Sequence, residues 1–140
     1  MWLFAQYCIP PYSQDLDATL NQRLNRWTPL PGVVSWVDDR SASVLRTDAQ
    51  RCSIATNVPF ALSRDEAAEL RDLVDVFARQ QFPELAYDPK STMGDTELAT
   101  AWVYGAVATP ERWGIYAFAY PDWGDSAGSI MSFSRRKSGR

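Results

Sequence analysis

The sequence predicts an α+β fold, a single two-layer domain in which an antiparallel or mixed sheet of five to seven strands carries two main helices on one face. Three observations support this. Residues 33–58 and 99–120 alternate their side chains with the two-residue period of half-buried strands. Residues 63–82 open on a capping box and then repeat apolar side chains at helical spacing. Strand and helix signals follow one another in the order β-α-β-β-β-α-β-β, which suits one sheet backed by helices and suggests a ferredoxin-like or related sandwich.

Taken in order, residues 2–9 mix aromatic and apolar side chains before Pro10-Pro11 stop regular pairing, and they read as a first strand. From Ser13 to Trp27 the leucines recur at 16, 20 and 24, with Asp15 and Asp17 early and Arg23 and Arg26 late, the charge order a helix macrodipole favours. Thr28-Pro29-Leu30-Pro31-Gly32 ends that helix. Val33–Val37, Ser43–Thr47 and Cys52–Val58 then form consecutive antiparallel strands, joined by turns at Asp38–Ser41 and Asp48–Arg51.

Ser63-Arg64-Asp65-Glu66 starts the second helix, in which Leu70, Leu73, Val74 and Phe77 share a face until Pro83. Glu84 to Asp95 reads as a loop of about a dozen residues, long for a compact domain. Next comes a hairpin pairing Ala99–Ala108 with Trp113–Tyr120 through a turn at Thr109–Arg112. Its small-residue face, with Ala101 and Val103, is expected to lie under a helix, and a face carrying Trp102, Tyr104, Tyr116 and Phe118 to need cover. Ser126–Phe133 adds a short edge strand. Residues 1–134 form the domain, and 135–140 are a basic, disordered tail.

A chain of 140 residues with 46% hydrophobic and 22% charged side chains belongs with ordinary globular domains rather than disordered ones. Its longest apolar runs fall well short of the ~20 residues of a membrane-spanning helix. The N-terminus lacks the basic region and small-residue cleavage site of a secretory signal. These features point to a cytoplasmic protein with no membrane partner. Cys8 and Cys52 then read as reduced core residues, with a disulfide between adjacent strands as the alternative.

The net charge of −3 hides an asymmetry, because Arg135, Arg136, Lys137 and Arg140 sit together at the end. Without them residues 1–134 carry ten basic against seventeen acidic groups, a charge of −7. An acidic body opposes nucleic-acid binding and favours a basic protein partner. No histidine is present, so the commonest acid–base group is missing, and nothing in the sequence calls for a metal or cofactor.

Asp38-Asp39, and Asp122 with Asp125, are the compact carboxylate pairs in predicted loops. Trp123, in the turn Tyr120-Pro121-Asp122-Trp123-Gly124-Asp125, is an aromatic that a turn buries poorly and an interface uses well. The partner-binding candidates are therefore Tyr120, Asp122, Trp123, Asp125, Asp38 and Asp39. The function they suggest is that of a non-catalytic protein-binding module, an acidic inhibitor or immunity-type protein that blocks a basic partner. The sheet face or an edge strand offers a route to a homodimer. The alternative is a small-molecule-binding or enzymatic domain with an aromatic-lined pocket under the 84–95 loop.

Overall fold

The computed structural model describes residues 1–9, 24–30, 33–48, 50–89 and 99–136. Its elements are α1 (Trp2–Tyr7), β1 (Asn25–Leu30), β2 (Val33–Asp38), β3 (Ser43–Thr47), β4 (Arg51–Asn57), α2 (Arg64–Gln81), β5 (Ala86–Tyr87), β6 (Ala99–Tyr104), β7 (Trp113–Tyr120) and β8 (Gly128–Ser134). The fold is mixed α+β and mostly sheet. Eight strands lie in the order β1-β2-β3-β4-β8-β7-β6-β5, so two four-strand meanders meet along β4 and β8. Every described pairing is antiparallel. A ferredoxin-like sheet contains a parallel pair joined through a helical crossover, and none of these pairs has that form.

Both helices contribute to one buried cluster. Phe4 and Tyr7 of α1, and Val74 and Ala78 of α2, are buried there with Trp36, Leu45, Cys52, Trp102, Ile115, Met131 and Phe133. Ser63 caps α2 as the sequence predicts: its hydroxyl accepts from the Glu66 N–H while the Glu66 carboxylate accepts from the Ser63 N–H. The Ser63 N–H and the Ser63 hydroxyl both donate to that carboxylate and hold it below its ordinary range.

The local signals of β2, β3, β4 and α2 give their observed ranges to within a residue or two. Elsewhere the structure corrects the sequence reading. Residues 2–7 are helix, not strand, because Leu3, Phe4 and Tyr7 lie on one helical face and are buried against the sheet. The predicted helix at 13–27 falls largely on residues 10–23, outside the described residues, and its last part is β1 instead. Pro29 is tolerated there because β1 is an edge strand whose register shifts between Trp27 and Leu30. The other edge, β5, has only two residues, so both edges discourage further strand pairing.

The C-terminal strand, expected at an edge, lies between β4 and β7 and pairs with both along its whole length. Arg135, assigned to a disordered tail, donates to Asp48 O at 2.8 Å and to Thr47 Oγ1 at 2.9 Å; residues 137–140 lie outside the described residues. Cys8 and Cys52, expected to be reduced, form a disulfide that fastens the end of α1 to β4.

The aromatic hairpin is shorter than predicted. The chain leaves β6 after Tyr104, where Gly105 takes φ +86° and Ala108 φ +64°, so residues 105–112 form the connection. Its faces are also divided differently. Trp102 stands opposite Ile115, whereas Tyr116 stands opposite Ala101 and Phe118 opposite Ala99, so these three rings face smaller side chains across the pair, while Tyr104 stands opposite Trp113. Helix α2 lies over the Trp102 face, and Tyr116 and Phe118 point to the other side.

Candidate functional site

Antiparallel register gathers three loops at one end of the sheet. Asp38 pairs with Ser43, Val44 with Ala55, Asn57 with Gly128 and Gly128 with Tyr120. The turn after β2, the 58–62 connection to α2 and the 121–127 connection to β8 therefore project from the same end. The first and last of these are three strand spacings apart, or roughly 14 Å. All six candidate residues belong to this end, in two groups, and the 58–62 connection lies between the groups.

In the first group Asp38 is half-buried and accepts the Ser41 hydroxyl at 2.5 Å, while Asp39 is exposed in the turn. In the second group Trp123 is 69% exposed, more than any other large hydrophobic side chain described. Tyr120 supports it from below, with ring centroids 5.3 Å apart, and Tyr120 itself lies across Gly128, where a Cβ would come within 2.9 Å of its ring. A single 3₁₀ turn, Gly124–Ser126, follows and carries the exposed Asp125. Asp122 receives Arg64 Nη2 at 2.8 Å, a bridge with both side chains largely in water. Such a pair contributes little stability but ties the Trp123 loop to the start of α2.

Between the groups the structure adds Val58 and Phe60, at 47% and 58% exposure. The sequence reading makes Val58 the last residue of a strand and does not single out Phe60. The available signal was the apolar run Val58-Pro59-Phe60-Ala61-Leu62 directly before the capping box, longer than a hydrophobic staple requires. Asp65 and Glu66, in the first turn of α2, bring further acidic groups to this end. Val58, Phe60 and Trp123 are thus exposed apolar side chains at an end of the sheet that also carries these carboxylates, together with Arg40 and Arg64.

One hollow opens at this same end, where Ser43, Leu62 and Glu66 line it, and a second lies away from it. The first, about 300 Å³, separates α1 and α2 from the sheet and is walled by Phe4, Ile54, Leu70, Leu73 and Met131, with Glu66 and Glu69 on its rim. The other, about 410 Å³, lies at the opposite end of the sheet, where Tyr116 and Phe118 form an aromatic wall beside Arg112. The long loop predicted to cover a pocket is described only to Pro89. It contains β5 and Asp88, whose carboxylate receives Arg112 Nη2 at 2.8 Å. Residues 90–95 lie outside the described residues.

Among the described residues no three His, Cys, Asp or Glu side chains gather as a metal site, and no helix is long and apolar enough to cross a membrane. Comparison with protein families, with curated proteins and with solved structures found no match for the chain.

Proposed function

We propose that the chain is a non-catalytic protein-binding module, an acidic inhibitor of the immunity type, which covers a basic protein partner with the Trp123 end of its sheet. The observation that carries the reading is Trp123 itself, a large aromatic held in water by a short loop that Arg64 and Tyr120 brace. Binding interfaces draw most of their energy from a few such aromatic anchors, surrounded by polar rims. Val58 and Phe60 extend the anchor, while Asp38, Asp39 and Asp125 supply a rim whose charge complements lysine and arginine.

The same reading takes the fold as two layers, sheet over helices, since α1 and α2 share one buried cluster. It also revises the expected compartment: the Cys8–Cys52 disulfide weighs against a reducing cytoplasm, because such bonds persist in oxidising surroundings.

The test is affinity capture from the native host with wild-type, Trp123→Ala and Phe60→Ser baits of equal thermal stability, followed by quantitative mass spectrometry and elution in steps of salt. The reading expects a basic protein that wild type retains, that salt releases and that both variants lose. If all three baits retain the same proteins, the reading fails.

A further inference from the structure

The 410 Å³ hollow at the other end of the sheet has its own chemistry. It opens on the face away from the helices, because Arg51, Ser132, Ser134, Tyr116 and Phe118 all alternate with the core residues Cys52, Phe133 and Ile115. Three arginines line it, at positions 51, 112 and 135, and none of the described lining side chains is acidic. In a chain of net charge −3, that is a local concentration of the minority sign.

Two of the guanidinium groups are fixed before any ligand arrives. Arg112 donates from Nη2 to Asp88 at 2.8 Å and from Nη1 to Gly105 O at 2.9 Å. Desolvation opposes its charge, but the bond to Asp88 and the neighbouring Tyr116 hydroxyl outweigh that and hold the group cationic. Arg135 donates to Thr47 Oγ1 and to the Asp48 carbonyl. Arg51 is exposed, makes no ion pair among the described residues, and is free to close on a ligand. Between these cations the rings of Tyr116 and Phe118 lie nearly parallel, 11° apart, and both are half-buried. Ser132 and Ser134 add hydroxyls to the same wall.

We propose that this hollow binds a small anion carried on a planar ring. The arginines supply charge and forked donors for a phosphate or carboxylate, and the aromatic wall supplies a surface on which a ring stacks. The volume falls within the range of small-molecule pockets. The anchor end of the sheet is not involved, so this site stands whether or not that end binds protein.

Isothermal titration calorimetry at low ionic strength tests it with four probes: adenosine 5′-monophosphate, 4-hydroxybenzoate, adenosine and inorganic phosphate. The expected result is one site for at least one of the two ring-bearing anions, about tenfold or more tighter than for adenosine or phosphate alone. Which of the two binds better identifies phosphate or carboxylate as the preferred head group. Arg51→Gln should leave the melting temperature unchanged and weaken that binding about tenfold. The proposal is overturned if neither ring-bearing anion binds below about 1 mM, if phosphate alone binds equally well, or if Arg51→Gln binds like wild type.

Discussion

Trp102 shows how one side chain joins the layers. Its ring is buried where β6 meets α2, and its indole N–H donates to Asp75 Oδ1 at 2.8 Å, while Arg79, one helical turn on, grips the same carboxylate at 2.9 Å. Truncating Trp102 to Ala should cost about 3–5 kcal/mol in urea unfolding, as large aromatic deletions do; a loss under about 1 kcal/mol would show that the ring is not part of the core. Burial alone would raise the Asp75 carboxyl, but its bonds to Arg79 and Trp102 prevail and lower it from the ordinary 3.8. A lowered folded value adds stability above the unfolded value and loses it as pH falls through the folded one. The melting advantage of wild type over Asp75→Asn should therefore be full at neutral pH and fade in acid below 3.8. An advantage that grows in acid would reverse the assignment. Gly114 is a second sensitive position, since a Cβ there would stand 2.1 Å from the Trp102 carbonyl oxygen. Gly114→Ala should lower stability by about 2 kcal/mol or more, and a neutral result in thermal melts would mean that β6 and β7 are not so close.

At the scale of elements, the part legible in sequence is the part that local chemistry decides. Ser63 and Glu66 announce α2 because a capping box needs only its own four residues. Residues 33–57 disclose three strands because β-branched alternation and aspartate-bearing turns are local too. Helix α1 was missed for the opposite reason. Leu3, Phe4 and Tyr7 have helical spacing, yet aromatic residues also favour strands, and the choice is made by packing on a sheet whose strand β4, bridged to the end of α1, lies more than forty residues on. The central position of β8 likewise depends on β4, over seventy residues earlier. Of the candidate surface, the Tyr120–Asp125 turn could be read directly, whereas its place at the same sheet end as Phe60 came from register. The arginines at 51, 112 and 135 become neighbours only when three strand ends align. The bridge between α1 and β4 closes a loop over a sequence separation of 44. Replacing both cysteines with serine should cost about 2–5 kcal/mol, and reductant should lower the wild-type melting temperature while leaving the double variant unmoved. Equal melting with and without reductant would argue against the bridge.

Seen as a whole, the molecule is electrically polarised along its strands. Asp38, Asp39, Asp65, Asp122 and Asp125 gather at one end, and Arg51, Arg112, Arg135 and Arg136 at the other, with Arg40 and Arg64 moderating the first and Asp48, Asp88 and Glu111 the second. Such a molecule approaches a basic partner with a preferred orientation. Stopped-flow association with the captured partner should slow as salt rises, and Asp39→Asn with Asp125→Asn should reduce the on-rate more than they raise the off-rate. A salt-independent on-rate would remove electrostatics from the recognition. The covalent link between Cys8 and Cys52 has a further consequence, for how the chain survives cutting. It encloses β1, β2 and β3 in a closed ring of peptide. A protease that nicks the backbone anywhere between those cysteines leaves both fragments bound as one molecule, intact in mass apart from one added water. A digest should therefore run as a single band without reductant and separate into two when reductant is added.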